Sequence, residues 1–309
     1  MLTTQHKRPI TAELPLWMQQ AQRSLDWGAL IVAMHSLLMA LSLLLNDGFN
    51  VNNSNENYAF QAQDIAEALH EGRLYPRWSP HALSGYGAPV PHFAPPAAPY
   101  AVAVIDTLLT GQIYPAMRLL YAVALLMSGG AVYALTLRWM GAPSAVLAAV
   151  LYVYSPYVGL TAPHVLGDLP SSMAAALIPM LLWAVSRLIT VNRFQDFIVT
   201  VLISAALILT LPAAAGVGAG LALILTFAER RRATPRVVAA LIMSVLLTAF
   251  FWLPALLEAG QVRWLESSNG ASQIALTLEA LLRPLTPIDP AELQVSPQFT
   301  LGLTLTVFA

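Results

Sequence analysis

Seven stretches of this chain, 28–45, 116–137, 143–159, 172–190, 195–212, 215–228 and 237–257, are almost unbroken runs of apolar residues. Each approaches the roughly 20 residues with which a helix bridges the hydrocarbon core of a bilayer. Hydrocarbon offers a peptide group no hydrogen-bond partner, so runs of this kind must close their own backbone bonds as helices. Composition agrees. The chain is 57% hydrophobic and 10% charged, whereas a soluble domain carries about 25% charge. A net charge of −1 gives no reason to expect nucleic acid as a partner. Without cysteine there is no disulfide, thiolate metal site or cysteine nucleophile. Residues 1–26 are polar and contain Pro9 and Pro15, which is not the pattern of a signal peptide. The expected fold is all-α: a polytopic transmembrane helical bundle.

Charge sets the expected orientation. Lys and Arg favour the cytoplasmic side. The run Ala97–Leu109 is short, contains Asp106 and follows Pro95, Pro96 and Pro99. If it does not cross, then Lys7, Arg8, Arg23, Arg138, Arg187, Arg193, Arg230, Arg231, Arg232 and Arg236 all fall on one side. This segment is therefore read as a helix on the outer membrane surface. Residues 1–27 become a cytoplasmic segment and 28–257 a region of about seven spans. The outer side holds a large first loop, 46–115, then 160–171 and 258–298. Phe299–Ala309 reads as the start of a further span, and the whole as the front part of a longer protein in the cytoplasmic membrane.

The first loop has internal order. Residues 46–56 are rich in turn formers. Ser54 or Asn55 is placed to cap a helix over about 57–71. Tyr58, Ala62, Ile65, Ala66 and Leu69 share one face at helical spacing, and Asp64, Glu67 and Glu71 share another. Such a helix lies in the interface with its acidic face to water and its apolar face down. Gly72 ends it. Glycines, prolines and aromatics then crowd the stretch to Pro96, which predicts a fixed, irregular loop.

The stretches Glu67-Ala68-Leu69-His70-Glu71-Gly72-Arg73-Leu74-Tyr75-Pro76-Arg77-Trp78 and Gly85-Tyr86-Gly87-Ala88-Pro89 resemble bacterial membrane proteins of the 6-pyruvoyl-tetrahydropterin synthase-related family. Ser155-Pro156-Tyr157, Leu177–Trp183 and Ala249–Glu258 extend the resemblance over about 56–258. No three-histidine metal set is present to suggest pterin chemistry. More distantly, the layout is similar to that of the GT-C glycosyltransferases and YfhO-like proteins. That resemblance implies a GT-C-like fold whose first outer loop carries interfacial helices. It also implies a polyprenyl-phosphate-linked sugar as donor and an outer-loop acid as base. The carried-over catalytic candidates are Glu56, Asp64 and Asp168, with Asp47 as a further option. Arg77, His92, Arg118 and His164 are the candidates for binding substrate, with Arg77, His92 and Arg118 the possible phosphate contacts. The metal requirement is left open, with a divalent ion as one option. Membrane lipid and lipid-linked sugar are the implied partners. Tyr58 stands where the family often has His, and Ser171 where it often has Glu.

Other roles compete with catalysis: a carrier or flippase for a lipid-linked saccharide, or an inactive accessory subunit. His35, inside the first span, reads as a hydrogen-bonded structural residue. Gly216, Gly218 and Gly220 read as close helix packing.

Overall fold

The computed structural model describes residues 26–45 and 53–261. The expectations for Asp47, for most of 1–27 and 258–298, and for 299–309 lie outside the described residues.

The first described helix, α1 (Trp27–Leu45), has 19 residues and no charged side chain, about 28 Å at 1.5 Å per residue. At its start Asp26 accepts hydrogen bonds from the Ala29 amide at 3.1 Å and the Tyr133 hydroxyl at 2.7 Å. Its outward stripe, including Leu30, Met34, Leu38 and Leu45, is exposed, which suits hydrocarbon rather than water as the surrounding solvent. Then come α2 (Asn53–His70), α3 (Val90–Phe93) and α4 (Ala97–Ile105). The long α5 (Ile113–Met140) follows, then α6 (Ala142–Val153), α7 (Leu169–Thr190) and α8 (Phe194–Thr210). The last are α9 (Pro212–Arg230), α10 (Thr234–Leu247) and α11 (Ala249–Glu258). Among the described residues there is no strand, only an isolated bridge between Ser79 and Ala88. The chain is a polytopic helical bundle.

Among the described residues, five segments are long and apolar enough to cross a membrane: Trp27–Leu45, Ile113–Met140, Ala142–Leu166, Leu169–Thr190 and Pro212–Leu247. The last is two helices. Pro212 at the start of α9 and Val245 near the end of α10 line the same pocket, so α9 and α10 run antiparallel. α8 is shorter, with 17 residues, and the run 237–257 is broken at Thr248 between α10 and α11. The segment 160–171 is not a loop. Wide helical turns over Pro156–Leu166 carry α6 onward, and only Gly167 and Asp168 separate them from α7. Pro163 lies inside those turns.

Arginines gather at one end. Arg138 donates to Thr190 at 2.7 Å and Trp139 to Glu229 at 3.0 Å. Arg230 reaches the Ile189 carbonyl and Arg236 the Asn192 side chain. Arg187 pairs with the buried Asp196 at 2.9 Å and lies over the Trp183 ring. The Asp26–Tyr133 bond places the start of α1 toward this end, alongside the last part of α5. The end of α1 and the start of α5 therefore lie at the opposite end, and α2 and α4 pack against them there. Asp106 is only half-buried, with Oδ1 turned inward, and Leu108 and Leu109 beside it are exposed.

Close approach is concentrated between α1, α5 and α6. A Cβ on Gly129 would run into Ser36 Oγ and Val153. Of the three glycines in α9, only Gly218 packs tightly, against Leu207 and Leu181. His35 Nδ1 lies 3.3 Å from the Tyr154 hydroxyl, a structural contact.

Two outcomes follow. Gly129→Val should lower stability by about 1–3 kcal/mol through overpacking, read as an earlier thermal unfolding midpoint in detergent. Because the chain has no cysteine, single cysteines placed at Ser84 and Arg232 should react with a membrane-impermeant thiol reagent from opposite sides of a sealed vesicle. Labelling of both from one side would overturn the arrangement.

Candidate functional site

The loop layer at the arginine-poor end is built on α2. The helix begins at Asn53, earlier than the expected 57, and ends where Gly72 takes φ +80. Ala62, Ile65 and Ala66 are buried on the predicted apolar face. That face packs on α4, with Ile65, Ala66 and Ala103 in one cluster with Leu69 and Tyr100. It therefore meets protein, not lipid.

The acidic face of α2 departs from expectation. Asp64 is 5% exposed, because the loop 77–88 folds over it. Ser79 Oγ donates to Asp64 Oδ2, and His81 Nδ1 lies 2.5 Å from Asp64 Oδ1. The same His81 nitrogen lies 3.8 Å from Glu67 Oε2. The hydrogen bond to Asp64, and then its charge, hold the His81 imidazole above its usual 6.5. The loop is pinned by Ser79 and Ala88, which exchange backbone bonds of 2.8 and 3.0 Å. Gly87, at φ +77, lets the Trp78 indole sit against its backbone. Tyr100 donates to the Leu74 carbonyl at 2.9 Å, and burial pushes its phenol up to about 12. The ligand atoms of Asp64, Glu67 and His81 lie within 4.8 Å of one another and form the group among the described residues able to hold a metal ion.

A second polar group forms where α2 and α7 meet. Asp168 is the N-cap of α7: Oδ1 accepts from the Ser171 amide at 3.1 Å and Oδ2 from the Ser171 hydroxyl at 2.5 Å. The Tyr58 hydroxyl also bonds to Asp168. Burial first, then the charge and hydrogen bond of Asp168, hold the Tyr58 phenol above its usual range. One turn earlier on α2, Asn55 Oδ1 accepts from the Tyr121 hydroxyl at 2.9 Å. Tyr58 and Ser171, the two positions where the resemblance implied other residues, both bond to Asp168.

The other predicted residues disperse. Glu56 and Arg77 are exposed, and Arg118 is half-buried in α5. His92 is buried, with Nε2 3.0 Å from Glu258 Oε2, so it joins α3 to the end of α11. His164 Nε2 lies 3.3 Å from Ser42 Oγ on α1. Asp64 and Asp168 fall in separate hydrogen-bonded groups. His81 was missed by sequence reasoning. The one available signal was a histidine in the loop following two acids spaced one helical turn apart.

Asp168→Ala should lower stability by about 1 kcal/mol by removing the cap, while Asp168→Asn, an equal capping residue, should leave it nearly unchanged. Thermal unfolding of the two variants in detergent checks this.

A family model described as the 6-pyruvoyl-tetrahydropterin synthase related domain, a membrane protein, matches residues 92–309. The match begins after the Leu74–Trp78 and Gly85–Pro89 stretches. No curated protein and no solved structure matches the chain.

Proposed function

The chain belongs to the 6-pyruvoyl-tetrahydropterin synthase related family of membrane proteins, and from that premise we propose that it transfers a sugar from a polyprenyl-phosphate donor at the arginine-poor face of the cytoplasmic membrane. In this arrangement the N-terminus and the arginine turns face the cytoplasm, as the distribution of basic residues favours. The observation that carries the proposal is Asp168. It sits at the junction of two membrane-embedded helical segments, with the Tyr58 hydroxyl brought to it from the loop layer. Capping accounts for its bonds to Ser171. It does not account for a phenol delivered from α2.

An acceptor hydroxyl is a weak nucleophile until a base takes its proton in the transition state. Asp168 takes that proton as the acceptor oxygen bonds to the sugar carbon and the bond from that carbon to the phosphate oxygen breaks. The phosphate leaves with the electron pair, and a cation eases its departure. We assign that role to Arg77, an exposed cation of the same loop layer. Tyr58 orients the carboxylate through its hydrogen bond.

Asp168→Asn separates this role from capping. It should leave folding intact and lower glycosyl transfer by at least about 100-fold, the lower end of what a positioned base contributes. Transfer at the unaltered rate would overturn the assignment.

One observation favours a second role, a non-catalytic carrier of lipid-linked saccharide. An apolar pocket of about 370 Å³ lies between α8, α9, α10 and α11, lined by Ile208, Ala219, Leu241 and Trp252 and by no acid. It suits a hydrocarbon chain. Donor consumption by the purified protein distinguishes the two, since a carrier leaves the donor intact.

A further inference from the structure

We infer that Asp64, Glu67 and His81 form a binding site for a first-row divalent ion, Zn²⁺ or Mn²⁺, on the arginine-poor surface. The inference goes beyond the proposed transfer chemistry and uses none of its residues.

The backbone supplies the spacing. Asp64 and Glu67 are one turn apart on α2, so their carboxylates share a face. The loop then delivers His81 over that face, anchored two residues earlier by the paired backbone of Ser79 and Ala88. Each carboxylate has one oxygen engaged elsewhere: Ser79 Oγ donates to Asp64 Oδ2, and Gln63 Nε2 donates to Glu67 Oε1 at 3.2 Å. That leaves Asp64 Oδ1, Glu67 Oε2 and His81 Nδ1 facing one another. This is the arrangement in which outer partners orient the ligands of a metal.

The distances fit. Metal–ligand bonds of about 2.0–2.2 Å in tetrahedral geometry set neighbouring ligand atoms about 3.3–3.6 Å apart. His81 Nδ1 stands 2.5 Å from Asp64 Oδ1 and 3.8 Å from Glu67 Oε2. All three ligand atoms lie within 4.8 Å of one another, so small side-chain rotations bring them onto one ion.

Charge and donor type select the ion. Two carboxylates with a neutral imidazole sum to −2, and Arg73 alongside is paired with Glu71. An imidazole among the donors favours transition metals over Ca²⁺ and Mg²⁺. The side chains of His81 and Glu67 are 55% and 48% exposed, so one side of the site opens to water. Three protein ligands with an open position are the pattern of an ion that can take a further oxygen ligand.

The test uses the full chain in detergent, purified without a histidine tag and stripped with chelator. Equilibrium dialysis against Zn²⁺ and, separately, Mn²⁺ should show saturable uptake of one ion per chain. His81→Ala and Glu67→Gln should each weaken it by about tenfold or more. Both side chains are half-exposed, so neither change threatens folding. Zn²⁺ should also raise the melting temperature of the unaltered chain and not that of the two variants. Asp168→Asn should bind as the unaltered chain does, which keeps this outcome separate from that of the transfer chemistry. Uptake that does not saturate, or that is equal in His81→Ala, Glu67→Gln and the unaltered chain, would overturn the site.

Discussion

A peptide group in hydrocarbon has only its own chain to bond with, and that constraint shapes every crossing segment here. The helices close their own backbone bonds. Hydroxyls within them turn back onto the carbonyl four residues earlier, as Ser128 does to Ala124, Thr200 to Asp196, Thr210 to Ala206 and Thr226 to Ala222. Irregular backbone is moved to the ends. The Asn192 turn, the arginine turn at 231–233 and the whole of 71–96 lie there, where water or side chains satisfy what the helices cannot.

The two ends are thereby given different work. One is stitched by arginines to helix ends and carbonyls, with the Arg187–Asp196 pair as its most buried contact. The other is a second layer of protein laid over the bundle. In that layer α2 has two occupied sides. One packs on α4 and reaches Tyr121 through Asn55. The other is covered by the loop that carries Ser79 and His81. A helix read as lying between lipid and water is instead held between protein and protein, which is why an acid on its outer side is buried.

How far the amino-acid order alone revealed this depends on the range of the contact. The apolar runs and the common end of the described arginines were legible, because run length and charge are local properties. The apolar face of α2 was legible from its period. The environment of Asp64 was not. Periodicity placed it away from the core correctly, but no local pattern says that a loop fifteen residues on will fold over that face. Asp168 was noticed for its position between spans, whereas its Tyr58 partner lies over a hundred residues earlier. Among glycines, the row in α9 drew notice and Gly218 does pack closely, but Gly28 and Gly129 pack more closely still, because closeness depends on the neighbouring helix. The segment 160–171 was read as lying between spans, and its wide helical turns through Pro163 leave no local pattern of their own.

The His92–Glu258 contact has a consequence for biosynthesis. Chains emerge from the ribosome with the N-terminal part first, and His92 in α3 is made well before Glu258 at the end of α11. The short α3 must therefore wait for its partner while seven further helices, α4 to α10, are made. Only when α11 arrives does the surface layer gain this tie, so its maturation reports on the making of the described helices beneath it.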